Sequence, residues 1–193
     1  MKRLILLLFC CGLLTAALFA ASHRGRQPGS LFARTEPLRS VDFARLDRDV
    51  AGRARARDGD SIVVGGVPIR IWGIDAPEWR QRCRGAYGRS YPCGRIAFRA
   101  LAHRLRTARV HCVPRLRDKF ERLVATCYRG DEDIARWLVR EGLALDWPRY
   151  SAGAYREAED EARRATRGLW RGDFVRPWDW RHGRRFAAAT SPP

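Results

Sequence analysis

The stretch Asp58–Glu78 constrains the fold of this chain more than any other part of the sequence. Two apolar runs, Ser61–Val64 and Val67–Ile74, are separated by the glycine pair Gly65-Gly66. A pair of glycines between β-rich runs predicts a two-residue hairpin turn, because both turn positions require a positive φ. We therefore expect a tight β-hairpin here.

Three acids, Asp60, Asp75 and Glu78, lie where these strands begin and end, and Arg70 lies within the second run. Asp60 and Asp75 are suited to holding a hard divalent cation, together with a backbone carbonyl and waters. Arg70 offers a guanidinium fork to a phosphate, and Glu78, which follows a proline, is placed to align a water molecule. The alternative is that the acidic residues only form ordinary turns.

The strand register raises a geometric question about this site. A two-residue turn pairs Ser61 with Arg70 and places Asp60 opposite Ile71, so that Asp60 faces away from Arg70. The two side chains converge only if a bulge intervenes or if Asp60 lies at the rim, beyond the regular ladder. We predict such an irregularity, because a regular ladder through Asp60 would exclude a single site.

The composition favours an acidic polymer as partner. The net charge is +17, and only Lys2 and Lys119 among the 38 basic residues are lysines. Arginine forms bidentate contacts with phosphate, which favours nucleic acid or another polyanion; an arginine-rich genome is the alternative explanation. The sequence contains no asparagine, which excludes a Cys-His-Asn protease. The four histidines lack metal-ligand spacing, which argues against an imidazole zinc site.

The N-terminal region has the pattern of an export signal. Lys2-Arg3 precede an apolar run over residues 4–21, and the small residues Ala20-Ala21-Ser22 offer a cleavage site. We predict a signal peptide or an N-terminal membrane anchor over residues 1–22 and a flexible linker over residues 23–40. The protein is then exported, and it is either periplasmic or secreted, or held at the membrane by residues 4–21.

The remaining chain predicts one α+β domain over residues 41–181 and a disordered tail over residues 182–193. Short strands come first and helices later, which favours a small barrel with helices packed on it. The predicted elements are strands at Val50–Arg57, Arg109–Val113 and Leu123–Tyr128, and helices at Gly94–Ala108, after an Asp131 N-cap, and from Ser151 to Gly168. The apolar stripe predicted for the helix Gly94–Ala108 consists of Ile96, Ala100, Leu101, Leu105 and Ala108.

The end of the domain is a tryptophan-rich extension over residues 173–181. Trp178 and Trp180, next to arginines, either attach the chain end to the core or stack on nucleic-acid bases. We favour attachment to the core, because this is the more common role of such residues.

Four cysteines follow the leader, and an exported chain with an even number of thiols predicts disulfides. If a turn centres on Lys119-Phe120, Cys112 lies directly opposite Cys127, within reach of a bond. Cys83 and Cys93 lie in one loop and are able to close it. Each disulfide would contribute about 2–4 kcal/mol; a zinc site is the alternative, although the chain has no Cys-x-x-Cys spacing.

Three motifs in order resemble the staphylococcal nuclease (thermonuclease) family. They are Asp58-Gly-Asp60, then Arg70-Ile-Trp-Gly-Ile-Asp75-Ala-Pro-Glu78, then Asp118-Lys-Phe-Glu-Arg122. The resemblance covers about residues 50–171. It implies a five-stranded OB-like β-barrel with three α-helices and calcium-dependent cleavage of DNA and RNA, and we expect a monomer.

The resemblance also implies roles for individual residues. Asp60 and Asp75 match the calcium carboxylates, with the carbonyl of Ala76 beside them. Glu78 matches the glutamate that activates water. The two phosphate-binding arginines correspond to Arg70 and Arg122. Lys119 matches a lysine near the terminal phosphate of the bound nucleotide.

Two residues depart from the family pattern within these motifs. Glu121 replaces a glycine and adds an acid and a Cβ to the turn that orients Arg122, which can lower activity. Ala76 replaces a threonine, which is harmless if only its carbonyl binds the ion. The loop before Arg70 is also short.

Three hypotheses about function follow. The first is a calcium-dependent endonuclease that hydrolyses phosphodiester bonds by in-line attack of water. The second is a catalytically weak or inactive OB-type module that binds nucleic acid, although a decayed site has no reason to keep all five charged residues. The third is a basic envelope-surface protein with a structural role only.

Overall fold

The computed structural model describes residues 48–186. The strands are Val50–Ala56 (β1), Ser61–Val64 (β2), Val67–Ile71 (β3), Ile74–Asp75 (β4), Cys83–Arg84 (β5), Ser90–Tyr91 (β6), Arg109–Arg117 (β7), Leu123–Arg129 (β8), Glu132–Asp133 (β9) and Leu145–Asp146 (β10). The helices are Cys93–Leu105 (α1), Ile134–Arg140 (α2), Pro148–Ser151 (α3), Arg156–Arg164 (α4) and Pro177–Arg181 (α5). Single 3-10 turns span Ala86–Gly88 and Gly168–Arg171.

The predicted leader over residues 1–22 and the linker over residues 23–40 lie outside the described residues, as does the start of the predicted domain. Across residues 48–186, no helix is both long enough and apolar enough to cross a membrane.

Five strands form a closed barrel, as predicted. The sheet runs in the order β3-β2-β1-β7-β8, and β3 closes it by pairing with β8 in parallel. The other four barrel pairings are antiparallel. Three helices of seven or more residues accompany the barrel, namely α1, α2 and α4. The fold is therefore the α+β, OB-like barrel that the resemblance implied.

The β2–β3 hairpin has the predicted two-residue turn. Gly65 and Gly66 have φ angles of 56° and 91°. Val64 pairs with Val67 next to the turn, and Ser61 pairs with Arg70 at the far end of the ladder. Because the turn is tight and β2 is buried along its whole length, the register of this hairpin is well determined.

The β7–β8 hairpin is longer than predicted. Strand β7 continues beyond Val113 to Arg117, where its side chains become exposed. The apolar pattern stops there because the strand leaves the core, but its backbone still pairs with β8. A bulge between Pro114 and Leu116 adds one residue to β7. Asp118 and Arg122 bracket the turn, joined by a backbone hydrogen bond of 3.1 Å.

Two helix predictions need correction. The buried face of α1 includes Ala97, Leu101 and Leu105, whereas Ile96, predicted on the apolar stripe, is 37% exposed. The N-cap of α2 is Asp133 rather than Asp131, and its side chain accepts hydrogen bonds from the second and third backbone N–H groups that follow.

The last predicted helix, from Ser151 to Gly168, is interrupted. Helix α3 ends at Ser151, and Ala152 adopts a left-handed conformation with φ 53°. Helix α4 starts only at Arg156. The small residues Ala152, Gly153 and Ala154 belong to a turn between the two helices instead of a first helical turn.

Two disulfides connect neighbouring elements, with the pairing predicted from the sequence. Cys112 and Cys127 lie directly opposite each other on β7 and β8. Cys83 on β5 is bonded to Cys93, the first residue of α1. The first bond lies in the barrel core, and the second belongs to a smaller apolar cluster with Leu145 and Leu169.

The tryptophan-rich extension packs against the domain. Trp178 of α5 stacks on Trp147, with 5.8 Å between ring centroids and 8° between planes. Part of the predicted disordered tail, residues 182–186, also makes contacts: the Arg184 N–H donates to the Asp179 carbonyl, and the Phe186 ring lies 4.4 Å from the Arg84 guanidinium. Residues 187–193 lie outside the described part of the chain.

Candidate active site

Asp60, Arg70 and Asp75 meet at one end of the barrel. The Arg70 guanidinium donates to Oδ1 of Asp60 and to Oδ1 of Asp75, each at 3.1 Å. The regular β2–β3 ladder ends at Ser61, so Asp60 lies at the rim, where its carbonyl accepts from the Ile71 N–H at 2.9 Å. This is one of the two irregularities that the sequence required, and it allows Asp60 to turn toward Arg70.

Asp75 is the most buried acid of the site. It lies on β4, paired with Leu145 of β10, and its side chain has 0% exposure. Burial, reinforced by the negative charge of Asp60, raises the pKa of Asp75 to about 6, although the hydrogen bond from Arg181 opposes this shift. Two neighbouring carboxylates in a poorly solvated place therefore need cationic partners.

The residues predicted to bind calcium have a donor set that fits a hard cation. Asp60 and Asp75 both contact the Arg70 guanidinium, and the Ala76 backbone follows Asp75 directly, with its N–H donating to Oδ2 of Asp60 at 3.2 Å. Carboxylate and carbonyl oxygens are the ligands that Ca²⁺ prefers. Over residues 48–186, no three side chains of His, Cys, Asp or Glu gather as a metal cluster, so an ion here would also use backbone or water oxygens.

Glu78 lies in a loop held close to the first turn of α1. Its backbone N–H donates to Oε1 of Gln81 at 3.2 Å, and its carbonyl accepts from the Gln81 N–H at 2.7 Å. Gly94 permits this contact, because a Cβ there would lie 1.8 Å from the Glu78 carbonyl oxygen. The Glu78 side chain is 32% exposed and faces the cavity.

Arg122 is oriented by the β7–β8 turn. Its Nε donates to Oδ2 of Asp118 at 2.7 Å, and Oδ1 of Asp118 accepts from the Arg122 backbone N–H at 3.0 Å. Burial acts to raise the pKa of Asp118, but the bonds from Arg122 and Phe120 outweigh it and lower the pKa. Glu121 has φ 58°, the left-handed conformation that suits the glycine usual in this motif.

One cavity of about 890 Å³ brings the predicted residues together. Asp60, Arg70, Ala76, Glu78, Lys119 and Arg122 all line it. Asp75 is not among the lining residues, but it accepts hydrogen bonds from Arg70 and Arg181, which are. Lys119 lies in the β7–β8 turn, far along the chain from Asp60 and Asp75. Its ammonium group lies 5.0 Å from the centre of the Phe120 ring. Aromatic rings, including Trp147 and Tyr150, form part of the lining.

Three residues of the site carry no role in the sequence analysis. Asp118 orients Arg122, and the Asp-x-x-x-Arg spacing in a turn was the available signal. Trp147 borders Arg70 at 5.8 Å and follows β10, which pairs with β4. Arg181 contacts both Asp75 and Glu78 from the C-terminal extension. No local pattern distinguishes Arg181 from the other arginines, since its role depends on where α5 packs.

Fold and site together define a small OB-like barrel with a carboxylate–arginine centre in a basic protein. The chain belongs to the family described as staphylococcal nuclease homologue, which matches residues 68–172, more than half of its 193 residues. The match includes Arg70, Asp75, Glu78 and Arg122. Asp60 and Arg181 lie outside it.

Several curated proteins are similar to this chain. "Succinoglycan biosynthesis protein ExoI" of Rhizobium meliloti (strain 1021) is 36% identical over 124 residues, which cover 63% of this chain and 65% of that protein. "Probable staphylococcal-like nuclease CAN3" of Oryza sativa subsp. japonica is 29% identical over 81% of this chain and 41% of its own length. "Probable endonuclease LCL3" of Arthroderma otae is 32% identical over 58% of this chain and 44% of its own length. The chain thus spans less than two thirds of each of these relatives.

Proposed function

We propose that this protein is a calcium-dependent nuclease that hydrolyses phosphodiester bonds of DNA and RNA by in-line attack of water. The observation that supports this most strongly is the convergence of Asp60 and Asp75 on Arg70. Asp60 and Arg70 line a cavity that Glu78 and Arg122 also line. Two relatives have nuclease or endonuclease in their names, which agrees with this class of reaction.

Asp60, Asp75 and the Ala76 carbonyl would hold the calcium ion. When bound, the ion supplies positive charge that neutralises a phosphate oxygen and stabilises the charge developing on it. The burial of Asp75 strengthens this interaction, because charges interact more strongly where water is scarce.

The two arginines would bind the phosphate from different elements. Arg70 is held on β3 by the carboxylates, and Arg122 is held in the β7–β8 turn by Asp118. Guanidinium groups fixed in advance stabilise a pentacoordinate phosphate because they need no reorganisation during the reaction. The substrate phosphate would then lie between β3 and the turn.

Glu78 would orient the attacking water and accept its proton. Its carboxylate borders the cavity on a loop fixed by Gln81 and α1. A carboxylate within reach of a bound water molecule is able to act as a general base. Arg181 bonds both Glu78 and Asp75, which supports a position for Glu78 beside the proposed ion.

The test is digestion of plasmid DNA and of RNA by the full-length protein. We expect cleavage of both with added Ca²⁺ and loss of cleavage with excess chelator. Binding of single-stranded DNA without cleavage at any calcium concentration would instead favour the binding-module hypothesis. The third hypothesis predicts neither cleavage nor binding.

We also propose that the protein works outside the cytoplasm, in the periplasm or secreted, either free or attached through residues 4–21. The two disulfides support this, since such bonds persist in oxidising compartments. Fractionation of cells that express the full chain tests the proposal. Recovery of the protein with reduced thiols in the cytoplasm would contradict it.

A further inference from the structure

The C-terminal helix α5 places one arginine on the carboxylates of the site. Nη1 and Nη2 of Arg181 donate to Oδ1 and Oδ2 of Asp75, both at 2.8 Å. Nη1 also donates to Oε1 of Glu78 at 2.8 Å. The contact between Arg181 and Asp75 is bidentate, which is the strong geometry for a guanidinium–carboxylate pair. The same guanidinium also bonds a second acid, Glu78.

The position of Arg181 is set by packing as well as by charge. The ring of Trp178, three residues earlier, stacks on Trp147, and the Arg181 guanidinium lies 5.4 Å from the same ring. Before the helix, the Val175 carbonyl accepts a hydrogen bond of 2.7 Å from the buried Gln81 amide. The extension is therefore attached to the domain at three points around the site. These contacts hold Arg181 next to Asp75.

Arg181 competes for the atoms that a cation would need. Both oxygens of Asp75 accept from it, and Oδ1 additionally accepts from Arg70. A divalent ion bound to Asp75 would have to take the place of an arginine at Oδ1 or share Oδ2 with Arg181. It would also lie within a few ångströms of a positive guanidinium, where repulsion is strong because the carboxylate is buried.

Building on the proposed function, we propose that Arg181 is an internal competitor of the calcium ion. In the absence of the ion its guanidinium neutralises Asp75 and Glu78, and binding of the ion requires that the guanidinium leave them. The residue thereby sets the calcium concentration at which the nuclease becomes active. The attachment through Trp178 keeps the displaced arginine close to the site, so that it returns when the ion is lost.

The coupling is reciprocal, because an arginine that weakens ion binding must itself be bound less tightly when the ion is present. Removal of Arg181 should therefore tighten calcium binding. A charge-assisted bond of this kind corresponds to about a 10- to 100-fold change in the dissociation constant.

The experiment is calorimetric titration of Ca²⁺ into metal-stripped full-length protein, without substrate. Arg181→Gln should lower the calcium Kd by about 10- to 100-fold relative to the wild type. Arg181→Lys keeps the charge but loses the bidentate contact, and we expect a Kd between those of the wild type and Arg181→Gln. The matched control is Arg185→Gln, which removes the same charge from the same segment, where Arg185 stacks on Trp180 instead of reaching the carboxylates.

The outcomes separate this inference from the proposed function. An unchanged Kd in Arg181→Gln, or equal tightening in Arg185→Gln, would overturn the competition while leaving a calcium nuclease intact. Failure of every variant to bind Ca²⁺ would overturn the calcium site itself. Thermal unfolding of each variant without calcium verifies that the domain is folded, and Arg181→Lys provides the test if Arg181→Gln is not.

Discussion

At the scale of single residues, Glu78 is the side chain whose chemistry is most directly testable. Glu78→Gln keeps the size of the side chain but removes the base, and we expect cleavage slower by about 10²- to 10⁴-fold. Glu157→Gln, on the exposed surface of α4, is the matched control. The measurement is initial cleavage rate at saturating Ca²⁺, together with binding of single-stranded DNA.

DNA binding should persist in Glu78→Gln, because the arginines are unchanged. Turnover like that of the wild type would remove Glu78 from the mechanism. Loss of DNA binding would show that the substitution disturbs the loop held by Gln81 rather than the chemistry.

Glu121 is a second residue whose effect is measurable, here as a change in the free energy of unfolding. It holds a φ of 58° in the turn that carries Arg122, a conformation that disfavours any residue with a Cβ. Glu121→Gly should raise the free energy of unfolding by about 0.5–1 kcal/mol relative to Glu121→Ala, after allowance for the greater freedom of glycine in the unfolded chain. Urea unfolding of both variants measures this difference.

The two substitutions at Glu121 also separate charge from backbone shape. If the acid itself weakens phosphate binding, both variants gain activity equally. If the Cβ displaces Arg122, only Glu121→Gly gains. A lower stability of Glu121→Gly than of Glu121→Ala would show that the turn is not strained.

At the scale of elements, the β7–β8 hairpin carries half of the proposed phosphate-binding machinery. The Cys112–Cys127 disulfide, with a sequence separation of 15, closes a segment that includes Asp118 and Arg122. Replacing both cysteines with alanine should lower the free energy of unfolding by about 3 kcal/mol. Denaturant unfolding measures this loss.

The Cys83–Cys93 pair provides the comparison for this prediction. It closes a shorter segment, with a separation of 10, so its removal should cost somewhat less. No loss of stability on removing Cys112–Cys127 would mean that strand pairing and core packing alone hold the hairpin.

At the scale of the whole molecule, the net charge of +17 should make the affinity for nucleic acid depend on salt concentration. Binding of single-stranded DNA by the inactive Glu78→Gln variant should weaken as salt increases, with a log–log slope of about −2 if three phosphates are neutralised. Fluorescence anisotropy at several salt concentrations measures the slope. A slope near zero would show that the arginines lie too dispersed to act on one strand.

Much of the fold was predictable because its signals are local. The glycine pair predicts the β2–β3 turn, since only glycine adopts two successive positive φ angles without cost. The alternation of small and basic residues predicts β1, whose side chains alternate between half-buried and exposed. The N-cap of α2 was misplaced, and Ile96 was wrongly included in the buried face of α1, because several acids and several apolar stripes satisfy the same local rule.

The opposition of Cys112 and Cys127 was predicted from a turn centred between Lys119 and Phe120. The structure reaches the same pairing by a different route. The turn from Asp118 to Arg122 is centred on Phe120, and the bulge between Pro114 and Leu116 compensates by shifting the register. A bulge depends on how the barrel bends, which local sequence does not encode.

The sequence by itself determined the chemistry available to this protein: which carboxylates and arginines stand at strand ends, and in what order. Only the tertiary structure decided which of them meet. Asp60 reaches Arg70 because the regular β2–β3 ladder stops at Ser61 and does not include Asp60. Asp75 becomes buried because β4 pairs with β10. Arg181 joins the site from more than a hundred residues away, since stacking of two tryptophans brings α5 to the cavity. Such contacts depend on packing between distant segments, so they cannot be predicted from the spacing of residues along the chain.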